Sequence, residues 1–164
     1  MKTKQIIIAA IVVLAGVSIL IVRNIQRHMR CDLFSAAENN DLAGVKSAIE
    51  HGAQINQVNT RDFGFTPLGI AIYHENTNVA YYLIQCGADV NIADYRGKTM
   101  LMYAVAFGDE GAPLVRLLIS HGARLNAADK DGGTVFDYLV SSASEISNIL
   151  YEAKSNQSLT IHSH

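Results

Sequence analysis

The chain has 164 residues, a formal net charge of −2 at pH 7 and 17% charged side chains. That length allows about one folded domain with accessory segments, and the near-neutral balance leaves no electrostatic footprint for nucleic acid. Hydrophobic residues make up 49% of the chain, but they are distributed unevenly, so position decides more than the average.

Lys2 and Lys4 precede Ile6 to Val22, 17 consecutive residues without a charge, interrupted only by Gly16 and Ser18. As a helix this run spans roughly 26 Å at about 1.5 Å per residue. It falls a little short of the roughly 30 Å hydrocarbon core of a bilayer, a gap that Ile25 and the long arms of Arg23 and Arg27 can close. A cleaved signal peptide is the rival reading. Its apolar region usually runs about 7–15 residues and ends at a small-x-small site, whereas this run leads into Val22-Arg23-Asn24-Ile25-Gln26-Arg27. The sequence therefore predicts a basic tail over residues 1–5, an uncleaved single-pass anchor over 6–22 and a juxtamembrane linker over 23–31. Lys2 and Lys4 nearly balance Arg23, Arg27 and Arg30 in setting orientation. The export-like start favours the periplasmic or extracytoplasmic side of a cell (inner) membrane.

From Asp32 onward two phrases recur. Gly87-Ala88-Asp89-Val90-Asn91 has weaker copies at Gly52-Ala53-Gln54-Ile55-Asn56 and Gly122-Ala123-Arg124-Leu125-Asn126, so the three leading glycines stand 35 residues apart. Interleaved with them are Gly64-Phe65-Thr66-Pro67-Leu68, Gly97-Lys98-Thr99-Met100-Leu101 and Gly132-Gly133-Thr134-Val135-Phe136. Self-similarity at this period marks a stacked repeat protein, each unit too small to bury its own apolar face. Each unit reads as two short amphipathic helices: Leu33, Ala36 and Ala37 then Leu42, Val45, Ala48 and Ile49; Leu68, Ala71 and Ile72 then Val79, Leu83 and Ile84. The third has Leu101, Ala104 and Val105 then Leu114, Val115, Leu118 and Ile119. The fourth has Phe136, Leu139 and Val140 then Ile146, Ile149 and Leu150. The glycines at 52, 87 and 122 end second helices in a left-handed conformation. Thr66, Thr99 and Thr134 cap first helices, with Pro67 at a first helical position. Asp94-Tyr95-Arg96-Gly97 and Asp129-Lys130-Asp131-Gly132 are turns at projecting hairpin tips.

These residues resemble the ankyrin repeat, from Asp32 to about Lys154. The resemblance implies an all-α solenoid of about four helix-turn-helix units with β-hairpin-like loops, and a concave face that binds other proteins. The repeat domain is placed at 32–154, and the polar, aperiodic segment 155–164 is expected to be a flexible tail. The family usually follows Thr-Pro-Leu with a histidine that ties the turns together. Phe34, Gly69, Met102 and Asp137 stand there instead, so that network is missing and a more adaptable array is expected. The third unit carries two extra residues in Gly108-Asp109-Glu110-Gly111-Ala112-Pro113, an insertion that costs little in loop entropy.

The resemblance also implies that hairpin tips and exposed first-helix positions vary for recognition. On this sequence they are Glu38 and Asn39; Asp62, Phe63, Phe65, Tyr73 and His74; Tyr95, Arg96, Lys98 and Phe107; and Lys130, Asp131, Ser141 and Ser142. Five of the chain's 12 aromatic residues fall in this set, and rings and arginine dominate interface hot spots. The predicted partner-binding residues are Phe63, Phe65, Tyr73, His74, Tyr95, Arg96, Lys98 and Phe107. In the alternative, Phe63 and Phe65 fold back over the join between the first two units, and Phe107 shields the inserted loop.

No His-Glu-x-x-His, Cys-x-x-Cys pair or glycine-rich phosphate loop is present, so no catalytic residue, metal site, cofactor or small-molecule substrate is expected. His51 and His121 precede repeat glycines and belong to the repeat grammar, as do Asn56, Asn91 and Asn126, which suit backbone bridging between units. Cys31 and Cys86 are expected to be unrelated thiols. A small anchored ankyrin protein of this kind looks bacterial, and by family analogy alone the resemblance implies a role in neutralising a toxic partner or supporting an envelope or stress-defence enzyme. A membrane-tethered module for a protein partner is the function expected; a self-associating membrane protein, or a thiol sensor using Cys86, is the alternative.

Overall fold

The computed structural model describes residues 32–60, 63–141 and 144–161, with side chains through Asn156. The chain divides between Cys31 and Asp32, and all described residues belong to the second unit. The expected tail, anchor and linker over residues 1–31, Cys31 included, lie outside them. Among the described residues no helix is long and apolar enough to cross a membrane.

Helix pairs follow one another along the chain: α1 (Leu33–Glu38) with α2 (Leu42–Glu50), α3 (Pro67–Tyr73) with α4 (Thr77–Gln85), and α5 (Met100–Val105) with α6 (Ala112–Ser120). A 3₁₀ turn at Val135–Tyr138 and the helix α7 (Ser144–Ile161) complete the series. The described residues contain no strand. First helices pack on first helices, α1 on α3 and α3 on α5, and second helices form a parallel row in which α2, α4, α6 and α7 each meet the next. Each unit therefore supplies half of a dry layer that its neighbour closes. Leu68, Leu83, Leu101 and Leu118 are sealed from solvent, each contributing about 1.5–3 kcal/mol of burial. Ala37, Ala71 and Ala104, equally sealed, have too little side chain to hold the first helices apart.

The helix ends form where the turn chemistry puts them. Thr66 and Thr99 accept hydrogen bonds on Oγ1 from the N–H groups of Gly69 (3.1 Å) and Met102 (3.3 Å). At Gly87, φ is +87°, and the N–H groups of Gly87 and Ala88 reach back to the carbonyls of Ile84 and Leu83. This Schellman closure needs a residue without a Cβ penalty, and it repeats at Gly52 and Gly122. His51 and His121 sit at the same closures, their Nδ1 atoms 2.7 and 2.9 Å from the carbonyl oxygens of Ser47 and Leu117. Asn56 and Asn91 bridge units: the N–H of Asp89 donates to Asn56 Oδ1 (2.8 Å), and the N–H of Arg124 to Asn91 Oδ1 (3.0 Å).

The residues replacing the family's histidine do more than the sequence suggested. The Asp137 carboxylate accepts from both the N–H (2.7 Å) and hydroxyl (2.8 Å) of Thr134. Tyrosines add a further tie. Asp94 gathers the N–H groups of Arg96 and Lys98 at its own tip and the Tyr103 hydroxyl at 2.7 Å. Asp129 repeats the arrangement with Asp131, Gly133 and the Tyr138 hydroxyl. The third and fourth units are thus tied at their turns by aspartate and tyrosine.

The fourth unit departs from expectation. Phe136, Leu139 and Val140 do not line a helix: the first helix is reduced to one 3₁₀ turn, Leu139 is extended, and Val140 is exposed. Val, Phe, Asp and Tyr are all indifferent helix formers, and Asp137 is committed to Thr134. Val135 is the residue buried instead. The segment expected to be aperiodic from Ser155 continues α7 to Ile161. The two-residue insertion of the third unit forms a 3₁₀ turn at Gly108–Gly111, and its Asp109 carboxylate receives the N–H groups of Glu145 (3.0 Å) and Ile146 (3.3 Å) at the start of α7.

Candidate functional site

The tips of neighbouring units are stitched by backbone bonds. Tyr95 N–H donates to the Phe63 carbonyl (2.8 Å) and Lys130 N–H to the Arg96 carbonyl (2.9 Å). Gly64, at φ +80°, lets the Tyr95 ring lie against its backbone, where a Cβ would stand 2.5 Å from the ring. Side chains projecting from these tips and from the first helices form one face, and its centre is aromatic. The Phe65 ring lies 5.2 Å from Tyr73, 5.6 Å from Tyr103 and 6.0 Å from Phe63. Tyr73 in turn meets Tyr103 and His74 edge to face at 6.0 and 5.3 Å.

Within this cluster the rings divide by exposure. Phe65 keeps 4% of its surface, whereas Phe63, Tyr73 and Tyr95 keep 50%, 49% and 50%. Phe65 is therefore not the free tip residue expected. It is a buried pedestal that fixes Tyr73 and Phe63, so for Phe65 the alternative of a ring folded back on the stack holds. Tyr103, absent from the predicted set, joins the cluster through its ring and points its hydroxyl at Asp94. Burial, then the bond to Asp94, pushes that hydroxyl's pKa well above its ordinary value.

The other predicted residues fall into place unevenly. His74 ends α3 and its Nε2 stands 4.0 Å from Glu38 Oε1. The Arg96 guanidinium lies 5.8 Å from the Phe63 ring centre. Lys98 is turned toward the fourth unit, its ammonium 4.5 Å from the Tyr138 ring. Phe107 is half-buried beside Gly111 at the inserted turn and shares none of these ring contacts. Phe63, Phe65, Tyr73, His74, Tyr95 and Arg96 thus gather on one face, and Lys98 and Phe107 stand apart from its aromatic centre. The Asp94–Tyr103 and Asp129–Tyr138 pairs were legible in principle: the same nine-residue offset occurs twice, 35 residues apart.

Between the first and second units this face sinks into a groove of about 430 Å³. Phe34, Phe63 and Tyr73 line it with Phe65 and Ile70, and Asp32 and Glu38 supply two carboxylates. Asn76 fixes the adjoining backbone, donating through Nδ2 to the carbonyls of Ala37 and Glu38, both at 2.8 Å. The groove is held by interactions between units, so it exists only in the stack. Among the described residues no three His, Cys, Asp or Glu side chains converge as a metal site would need. Cys86 is an exposed free thiol at the end of α4.

No curated protein matches the chain. The family described as "Ankyrin repeats (3 copies)" matches residues 33–129, more than half of the chain, over the helix pairs and the tips that carry the aromatic face. Repeats of this kind serve as protein–protein interaction modules. The chain belongs to the ankyrin-repeat family.

Proposed function

We propose that this chain is a membrane-tethered, non-catalytic module that holds a partner protein against the tips and first helices of its second and third units. The observation that carries the reading is the pairing of half-exposed Phe63, Tyr73 and Tyr95 with the buried pedestal of Phe65. Rigid rings with one face still wet are what an interface core uses, because they cover large area at low entropic cost. The test is partner capture by crosslinking from the protein's own cells, comparing the native chain with a Phe63→Ala, Tyr73→Ala double variant. The variant is expected to lose its partner while still unfolding in one cooperative transition, at a melting temperature lowered by several degrees; full retention would put the binding surface elsewhere.

The tether rests on the uncharged run from Ile6 to Val22 and its flanking lysines and arginines. A single span would confine the repeats to the bilayer surface and raise their effective concentration near partners there. A compartment-specific reporter enzyme at the C-terminus is expected to be active on the extracytoplasmic side. By analogy with similar small proteins, the proposed role is inhibition of a toxic partner or support of a stress-defence enzyme.

A further inference from the structure

We propose that the groove between the first and second units receives an arginine side chain from an extended basic segment of the partner. The assignment rests on the docking face proposed above and names the chemistry at one place on it. A groove of about 430 Å³ lies at the low end of the range of about 300–1,000 Å³ for small-molecule pockets, room enough for one long side chain and too small for a helix to lie in. Its charged lining is acidic: Asp32 and Glu38 face it, and neither Lys nor Arg does among the described residues. His74, the one basic side chain in the lining, stands 4.0 Å from Glu38.

Rings on this protein already take cations. Arg96 stands over Phe63, Lys46 over Tyr82 at 5.4 Å, Lys98 over Tyr138 and Lys154 over Phe136 at 4.8 Å. Tyr73 is half-exposed to the groove, and among the described residues no Lys or Arg stands over its ring. A planar guanidinium matches the lining better than an ammonium, because it stacks on a ring while its edge donates to a carboxylate. An acidic segment would meet like charge there, and a purely apolar one would strip water from two carboxylates while offering them no hydrogen-bond donor.

The test is titration of the full chain, in detergent micelles at low salt, with a capped hexapeptide carrying a central Arg-Arg. Its neutral citrulline counterpart and its Lys-Lys counterpart serve as comparisons. The arginine peptide is expected to bind at least about tenfold more tightly than the citrulline one, with lysine between. An Asp32→Asn, Glu38→Gln variant should bring arginine and citrulline within about twofold; asparagine retains the capping oxygen of α1. Tyr73→Ala should weaken the arginine peptide, and Glu152→Gln on α7 should leave it unchanged. Equal binding of arginine and citrulline, a preference that survives Asp32→Asn with Glu38→Gln, or undiminished arginine binding by the Tyr73→Ala variant, overturns the assignment. If the preference is absent while the Phe63→Ala, Tyr73→Ala variant still loses its partner, the docking face stands and the arginine assignment alone falls.

Discussion

Phe63 and Phe65 flank Gly64, yet one ring is half in water and the other is closed over by Tyr73 and Tyr103. Alanine at Phe65 removes a buried ring and leaves a cavity, which costs about 3–5 kcal/mol. Alanine at Phe63 gives up its contacts with the Phe65 and Tyr73 rings and with Arg96, but only part of its burial, about 1–2 kcal/mol. Urea denaturation should rank the two variants in that order. The tyrosine ties set a second expectation. The Tyr138 hydroxyl, joined by the N–H groups of Gly133 and Asp131 and by Lys98, holds the Asp129 carboxyl below its ordinary 3.8 against the opposing effect of burial. A carboxyl depressed in the folded state contributes stability above pH 3.8, and that contribution is lost as pH falls through the folded value. Melting temperature should therefore drop on acidification below about pH 4, and Tyr138→Phe should make that drop shallower. Tyr103 works on the alkaline side. Its pKa is raised, so its contribution is complete below its ordinary 10.0 and is lost as pH rises above it.

At the scale of elements, the two-residue insertion of the third unit shows how local irregularity is used. Asp109 sits on the inserted 3₁₀ turn and caps a helix 35 residues further on. Asp109→Ala should cost about 1 kcal/mol, as lost caps do. Hydrogen exchange should show faster opening of the α7 N-terminus while α3 and α4 keep their protection. The sequence made the helix pairs legible because apolar spacing, threonine caps and terminal glycines all agree locally at Leu68–Ile84 and Leu101–Leu118. It misjudged the fourth unit, where the apolar spacing of Phe136, Leu139 and Val140 fits a helix that the residues between them do not support. Part of the candidate site was legible, since Phe63, Tyr73 and Tyr95 are rings at variable positions. Burial of Phe65 and the recruitment of Phe34 and Asp32 to the groove depend on how adjacent units meet, which spacing within one unit does not encode.

The whole molecule from Asp32 onward behaves as a row of nearest-neighbour contacts. Stability in such a row is close to a sum of unit and interface contributions, with the ends opening first. Protection from hydrogen exchange should therefore peak in α3, α4 and α5, whose fully buried Leu68, Leu83 and Leu101 have neighbours on both sides, and fall off toward α7. Because the aromatic face spans the best-supported units, its rings stay placed while the ends open. The most direct measurement of the central claim is site-specific photo-crosslinking in the protein's own cells. A photoreactive residue is placed at Tyr73 or Tyr95 on the tip and first-helix face, or at Arg116 on the row of second helices. The account predicts one common adduct from positions 73 and 95 and none from 116. An adduct from 116 alone, or the same adduct from all three, would contradict it.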